Sequence, residues 1–322
     1  TDEDVIFFED MFQPGIESLP YIMDQVPATM RPKVYVRCLA QSIDPDDFVH
    51  VWGMYPWMSK YEKMVANFVD GILCASEEMV AHIKIAGWDT ELYVTGLPFG
   101  KEEVNMRVPD REYMYRNRSN RVCFAARWDQ EKQPNFYMDL AHQWSLTHEL
   151  YSEAATPEPK TEFAICCGGP LRSNDPELVK RARELEEIEV IKIYENLKKD
   201  EYYSILADSK VLFNCALQDW VSNTVSEADT LNTMTLFPAY RSFPEVFANN
   251  SEQMYIPWSP EDAMRKLEWQ LDRNVPPKWV GKVSNYQDGT IDRTLDVFQN
   301  PIDTQHKRGG NRYRNMVNVP KY

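Results

Sequence analysis

The stretch that decides the fold is KVLFNCALQDWVSNTVSEADTLNTMTLFPAYRSFPEV, running from Lys210 to Val246. Val211 to Leu217 is apolar and β-rich, which reads as a buried strand. A polar loop follows, Gln218-Asp219-Trp220. Ser222 and Asn223 then supply N-cap chemistry for a helix that carries Glu227 in its early turns. Met234 to Pro238 is a second apolar strand, and Phe243-Pro244-Glu245-Val246 opens another helix. A helix that starts just past the carboxyl end of a strand presents free amides and a positive dipole to the crevice there. Asp219 and Glu227, eight residues apart, are the wrong groups for holding phosphate and the right ones for holding hydroxyls. Amides for a diphosphate beside carboxylates for sugar hydroxyls point to a nucleotide-sugar site.

The same pattern occurs around this stretch. Val5 to Glu9, Lys33 to Ala40, Gly71 to Ala75 and Glu91 to Thr95 read as strands. Helical segments at Ile16 to Gln25, Pro56 to Val69 and Glu77 to Ala86 separate them. Strand and helix continue to alternate after residue 120. Val122 to Ala126, Phe163 to Cys167 and Val190 to Tyr194 are the strands; Asn135 to Leu146, Glu177 to Glu187, Asp200 to Ala207 and Glu261 to Leu271 are the helices. Such alternation predicts mainly parallel sheets covered by helices on both faces.

Composition narrows the function classes. With 322 residues the chain is long enough for two cores, and its 43% hydrophobic and 12% aromatic content is that of a globular protein. No run of eighteen apolar residues and no signal-peptide pattern occurs, so a cytoplasmic protein without a membrane span is expected. The net charge of −15 argues against wholesale nucleic-acid binding. Cys38, Cys74, Cys123, Cys166, Cys167 and Cys215 lie in or beside apolar runs with no C-x-x-C spacing, which reads as buried thiols. None of His50, His82, His142, His148 and His306 sits in a metal-ligand pattern. Asp44-Pro45-Asp46-Asp47 looks like a metal-binding D-x-D. No His or further acid is suitably spaced, so a turn with N-capping acids is the better reading, and no metal and no cofactor are expected.

Asp219-x7-Glu227-Ala228, followed by a strand and Phe243-Pro244-Glu245-Val246, resembles the donor signature of retaining GT-B glycosyltransferases. These are the group 1, or family 4-like, enzymes, which include many of bacterial and phage type. The family usually has Glu where this chain has Asp219, and a Gly-rich turn where it has Val221 to Thr224. Arg127 and Lys132, five residues apart in the loop after Val122 to Ala126, match the pair that holds the donor diphosphate in that family. Two fixed cations would stabilise the departing diphosphate without a metal. The resemblance covers about 68 to 272.

The resemblance implies an α/β protein with the GT-B fold: two Rossmann-like doubly wound domains facing across a cleft. Residues 1–103 would form the amino-terminal, acceptor-side domain. It lacks the opening strand and Gly-rich turn, and so reads as incomplete, a fragment or processed chain rather than a minimised variant. Residues 104–275 would bind the donor, and 276–322 would supply a returning helix and a basic tail. Arg127, Lys132 and Asp219 would be catalytic, and Ser222, Asn223, Thr224, Glu227, Tyr194 and Asn196 would bind the donor. Glu227 would take the nucleotide ribose, and Tyr194 and Asn196 would lie near the base. Arg37, Gln41 and His50 are candidates on the acceptor side.

The implied activity is transfer of a hexose or pentose from a nucleoside-diphosphate sugar to a hydroxyl. The acceptor would be a small molecule, lipid or glycan, or modified DNA held through Arg107, Arg111, Arg116, Arg118 and Arg121. A solvated linker is the plainer explanation of those arginines. Two alternatives stay open: a non-catalytic binding or assembly protein derived from this fold, and another GT-B enzyme such as a sugar-nucleotide epimerase.

Overall fold

A computed structural model describes residues 4–39, 42–108, 117–151, 160–247, 250–273, 284 and 286–300. The first part of the chain contains β1 (Val5–Phe8), α1 (Leu19–Asp24), β2 (Lys33–Arg37), α2 (Phe48–Val51), α3 (Tyr55–Phe68), β3 (Gly71–Cys74), α4 (Glu77–Ile85) and β4 (Glu91–Val94). Next come α5 (Lys101–Arg107), β5 (Ser119–Phe124), α6 (Pro134–Tyr151), β6 (Glu162–Cys166), α7 (Pro176–Glu187), β7 (Ile191–Tyr194) and α8 (Lys199–Asp208). The remainder holds β8 (Ser209–Phe213), α9 (Asn223–Thr230), β9 (Met234–Pro238), α10 (Phe243–Val246), β10 (Met254–Tyr255), α11 (Pro260–Leu271) and α12 (Thr290–Gln299).

These elements form two compact units. The first takes described residues up to Ile43, Met54–Leu97, and those from Gly289 onward; the second takes Asp44–Gly53 and the described residues of 98–288.

The first unit is built on a parallel sheet in the order β1-β2-β3-β4. Its centre is β3, buried along its whole length. Gly71 begins that strand because nothing larger fits: a Cβ there would come within 2.7 Å of the Tyr93 ring and 3.0 Å of the Tyr35 ring. Helix α12 packs on this sheet through Val297, against Tyr35 and Leu73, and Phe298, whose ring lies 5.2 Å from Phe7. Arg37 is buried beneath it. Its guanidinium donates to Glu9 Oε2 and Gly96 O (2.9 Å each) and to Thr294 Oγ1 (3.4 Å). Arg37 is therefore spent on joining α12 to the sheet, which corrects its assignment to the acceptor. Gln41 lies outside the described residues, and His50 belongs to α2 in the second unit.

The second unit carries a parallel sheet in the order β10-β9-β8-β5-β6-β7. The chain enters at β5, builds outward through β6 to β7, then crosses back so that β8 lies on the other side of β5. Strand order thus reverses between β5 and β8. At such a switch point the connections leave toward opposite faces of the sheet, and the crevice outside the carboxyl ends of the strands is the usual ligand position in an open α/β sheet. The core below it is aromatic. Phe136, Phe213 and Tyr255 stack with interplanar angles of 8 to 12°. The buried Tyr137 hydroxyl makes a bifurcated bond to the carbonyls of Val122 and Ala164 (2.9 and 3.1 Å).

Element boundaries shift where local chemistry intervenes. The strand expected to run to Leu217 ends at Phe213, because Asn214 Oδ1 accepts from the Ala216 amide (2.8 Å) and turns the chain. Ile16 to Gln25 divides into a 3-10 turn and α1, with Pro20 near the start of the helix. Part of the expected linker is helical as α5. Of its arginines, Arg107 pairs with Glu103 (3.0 Å) and Asp200 (2.9 Å), and Arg121 with Glu162 (2.5 Å) and Asp208 (3.1 Å). Arg118 is buried and donates to Ser209 O, Thr233 Oγ1 and Leu231 O. These three charges serve the fold, which removes the basis for a DNA surface on them. Arg111, Arg116, Tyr113 and Tyr115, residues 276–283 and the basic tail from His306 lie outside the described residues.

Candidate donor site at the switch point of the second sheet

Two loops meet at the carboxyl ends of β5 and β8. The first, after β5, is pinned by Trp128, which is buried against Phe124 and donates its Nε1 hydrogen to Leu178 O (3.1 Å). A 3-10 turn over Gln130–Lys132 and a left-handed Gln133 (φ 49°) then lead into α6 at Pro134. The second loop, after β8, is organised by Asn214, whose side-chain amide donates to Ser222 Oγ (3.2 Å). The loops are tied together by the Leu217 amide donating to Glu131 O (2.8 Å).

This closure brings Lys132 to Asp219. The Lys132 ammonium is buried, donates to the Gln218 carbonyl, and lies 3.6 Å from Asp219 Oδ1. Asp219 is a quarter exposed, and its carbonyl accepts from Ser242 Oγ at 2.5 Å. Arg127 is half exposed; it donates to Glu131 Oε1 (2.7 Å) and lies over the Phe48 ring, 5.7 Å from its centroid. Phe48 belongs to the 44–53 segment. The same segment presents Asp44 and Asp46 to Arg241, at 2.9 and 2.5 Å, and Asp47 caps α2 by accepting from the Val49 amide (3.0 Å). The other Asp47 oxygen is buried without a hydrogen-bond partner. Burial pushes the Asp47 carboxyl up to about 6; Asp44 and Glu131 act in the same direction, and Arg127 against it. The run Asp44-Pro45-Asp46-Asp47 is thus a turn with capping acids that carries an arginine. No group of three or more His, Cys, Asp or Glu side chains able to hold a metal occurs among the described residues.

Helix α9 starts on the β8 side of the crevice. Ser222 is its N-cap residue, but its hydroxyl bonds to Asn214 and Thr224 (3.2 Å each) and caps no amide. Asn223 is exposed, and its Oδ1 accepts from Gln287 Nε2 (3.2 Å). One turn on, Glu227 is nearly buried. Its Oε1 accepts from the Tyr203 hydroxyl (3.0 Å) and Lys199 Nζ (3.4 Å), and its Oε2 from the Tyr202 hydroxyl (2.8 Å). Burial, then the Glu227 charge, holds both phenols above their ordinary range. Burial works against the Lys199 ammonium, but Glu227 and Tyr203 together outweigh it and raise that group.

The structure therefore brings Lys132 to Asp219, and places Arg127 with them in one pair of loops. Ser222, Asn223, Thr224 and Glu227 share the adjoining helix start. Tyr194 is not brought to the crevice. Its hydroxyl donates to Glu162 Oε1 (2.9 Å) at the opposite end of β6, so its side chain points toward the amino edge of the sheet. Asn196 lies in the loop after β7 with φ 55°, and its amide donates to Gly169 O (3.1 Å). Sequence reasoning missed Glu131, Arg241, Lys199, Tyr202 and Tyr203. The last three were open to detection, because positions i, i+3 and i+4 share one helix face.

The cysteines are free thiols, and burial pushes Cys74 to about 12 and Cys167 to about 11, far from nucleophilic range. No helix among the described residues is long and apolar enough to cross a membrane.

No protein-family model matches this sequence, and no curated protein matches it. Solved structures do. Sucrose-phosphate synthase from Thermosynechococcus elongatus aligns over 97% of this chain and 73% of its own, with TM-score 0.63 and 10% identity. A UDP-forming α,α-trehalose-phosphate synthase from Burkholderia xenovorans aligns over 99% and 75%, with TM-score 0.61 and 11% identity. A variant of TarM from S. aureus, in complex with fondaparinux, α-GlcNAc-glycerol and UDP, aligns over 98% and 56%, with TM-score 0.58 and 11% identity. This chain therefore spans just over half the length of TarM. At such identities the likeness concerns the fold. The chain is an α/β protein with the Rossmann-like GT-B fold.

Proposed function

We propose that the second unit binds a nucleoside-diphosphate sugar and that the protein transfers the sugar, a hexose or pentose, to an acceptor hydroxyl with retention at the anomeric carbon. The observation that carries this reading is the meeting of Lys132 and Asp219 at 3.6 Å in the switch-point crevice, although they are far apart in sequence. A cation for the leaving diphosphate and a carboxylate for the sugar hydroxyls would flank the anomeric carbon. In the reaction the bond from that carbon to the diphosphate oxygen breaks. The acceptor oxygen bonds to the same face, and its proton passes to the departing diphosphate. Arg127 and Lys132 stabilise the charge that develops there, with the α9 amides around Ser222 to Thr224 assisting. Asp219 accepts from the sugar and Glu227 from the ribose, since ionised carboxylates only accept hydrogen bonds. The UDP complex of TarM and the UDP-forming trehalose-phosphate synthase, which share the fold, agree with a nucleotide-linked donor.

A thermal-shift screen against UDP, GDP, ADP, CDP and their sugar conjugates is the first test, since millimolar ligand reveals even micromolar binding. With the donor identified, Glu227→Ala is expected to weaken nucleotide binding, and Arg127→Ala to depress turnover more than binding. If neither changes donor hydrolysis or transfer, the site is misassigned. One observation favours a second reading, a binding protein without catalysis: Arg127 and Lys132 each already face a carboxylate, Glu131 and Asp219. Nucleotide binding with no hydrolysis or transfer to any acceptor would select it.

A further inference from the structure

An ionised carboxylate offers about four lone-pair positions to donors, two on each oxygen. On Glu227 three are filled. Tyr203 and Lys199 occupy Oε1, at 3.0 and 3.4 Å, and Tyr202 occupies one position on Oε2 at 2.8 Å. About a tenth of the Glu227 side chain remains exposed, and among the described residues Oε2 has the one donor, Tyr202, which leaves its second position for a ligand. The two phenols are held by packing, whereas the Lys199 side chain is 59% exposed. Tyr203 is buried, and the Lys199 ammonium lies over both rings, 5.1 Å from the Tyr203 centroid and 5.9 Å from that of Tyr202. Phenol-to-carboxylate bonds are charge-assisted, roughly twice the strength of neutral ones.

We propose that Glu227 holds one hydroxyl of the donor's ribose and not its cis-diol, so that a deoxyribonucleoside-diphosphate sugar is accepted beside the ribonucleoside form. The inference rests on the reading of Glu227 as the ribose acceptor. A second hydroxyl could bond only by displacing Tyr202, Tyr203 or Lys199. It would exchange one charge-assisted bond for another with little net gain. Sites with an acceptor waiting for a hydroxyl reject the analogue that lacks it by about 10⁴-fold or more, because a buried polar group is then left unpaired. Here no such vacancy exists for the second hydroxyl.

The test uses the diphosphate of the best-binding base in ribo, 2′-deoxy, 3′-deoxy and 2′,3′-dideoxy forms, titrated calorimetrically against the full chain. At least one of the monodeoxy forms is expected to bind within about threefold of the ribo form, and the dideoxy form more than tenfold more weakly. Tyr202→Phe opens a second position on Oε2. It should strengthen ribo binding several-fold and make both monodeoxy forms inferior; Lys199→Met should do the same through Oε1 if the first variant fails to fold. Tenfold or greater losses for both monodeoxy forms with the wild-type chain overturn the inference and leave the donor-site reading standing. A dideoxy form as tight as the ribo form, or no binding of any nucleotide to folded protein, overturns the reading of Glu227 itself.

Discussion

Asp47→Asn is expected to stabilise the protein at neutral pH and to lose most of that advantage in acid. Asp47 is 1% exposed, one carboxylate oxygen has no partner, and the nearby charges include Asp44 and Glu131 as well as Arg127. Its folded value is about 6 against an ordinary 3.8. A carboxyl whose value rises on folding supports the fold fully while protonated in both states, below about 3.8. That support is lost as pH rises toward and through about 6. At 1.36 kcal/mol per unit the difference amounts to about 3 kcal/mol above pH 7 and about half that at pH 5. Asparagine keeps the volume and the capping oxygen for Val49, so helix α2 retains its N-cap. Urea unfolding of both proteins between pH 5 and 7.5 should show the gap widening by about 1.4 kcal/mol, with unchanged m-values. A gap that stays constant or narrows as pH rises would refute the argument that this carboxyl is ionised at a cost.

Lys132→Met should reduce the rate of sugar transfer by about 10²–10³-fold, the usual effect of removing one preorganised charge-stabilising group, with kcat falling more than KM rises. The same substitution leaves Asp219 without its ammonium partner, so steady-state kinetics must be read beside a melting curve. Gly71→Ala should destabilise the first unit by about 1–3 kcal/mol, since its methyl group would meet the Tyr93 and Tyr35 rings. Equilibrium unfolding checks this, and a neutral result would mean that the two rings shift freely.

Most of the sheet-and-helix framework was legible because its signals are local. Met234 to Pro238 has the predicted bounds and a helix starts at Phe243 as predicted, since an unbroken apolar run and a Pro-led helix start need no distant partner to be read. The pairing of Lys132 with Asp219 was legible only through resemblance; neither the loop after β5 nor that after β8 specifies the other. Tyr194 shows where local reasoning fails. Its place in the chain, at the end of β7, is that of a ligand residue, yet its phenol turns back to Glu162. That choice is set by Arg121 and Lys192 flanking the ring, which periodicity cannot reveal. The 44–53 segment was hidden for the same reason. Its acids were visible as caps, but their arginine, Arg241, lies almost two hundred residues away and adopts a left-handed turn (φ 53°) that favours Gly or Asn, not Arg.

The charges around the crevice bear on how a donor would enter. Lys132 and Asp219 at 3.6 Å attract each other by about 4–5 kcal/mol at an effective dielectric near 20, before desolvation is counted. Arg127 and Arg241 are likewise held by acids, so no bare cation waits for the diphosphate in these loops. Under the proposed reading, the diphosphate must compete with Glu131 for Arg127, the more exposed and more easily turned of the pair. Lys132 is the opposite case: buried, bonded to a backbone carbonyl, and unable to move far. The two cations would then divide the work. Arg127 exchanges a protein carboxylate for the ligand on arrival. Lys132 keeps Asp219 in place and gains most when the glycosidic bond breaks and negative charge grows on the leaving oxygen. Binding by exchange implies a modest dependence of nucleotide affinity on salt, since a paired cation releases few counterions. Removing Glu131 as Glu131→Gln should steepen that dependence and tighten nucleotide binding. Weaker binding in that variant would mean instead that Glu131 is needed to hold Arg127 where the diphosphate can reach it.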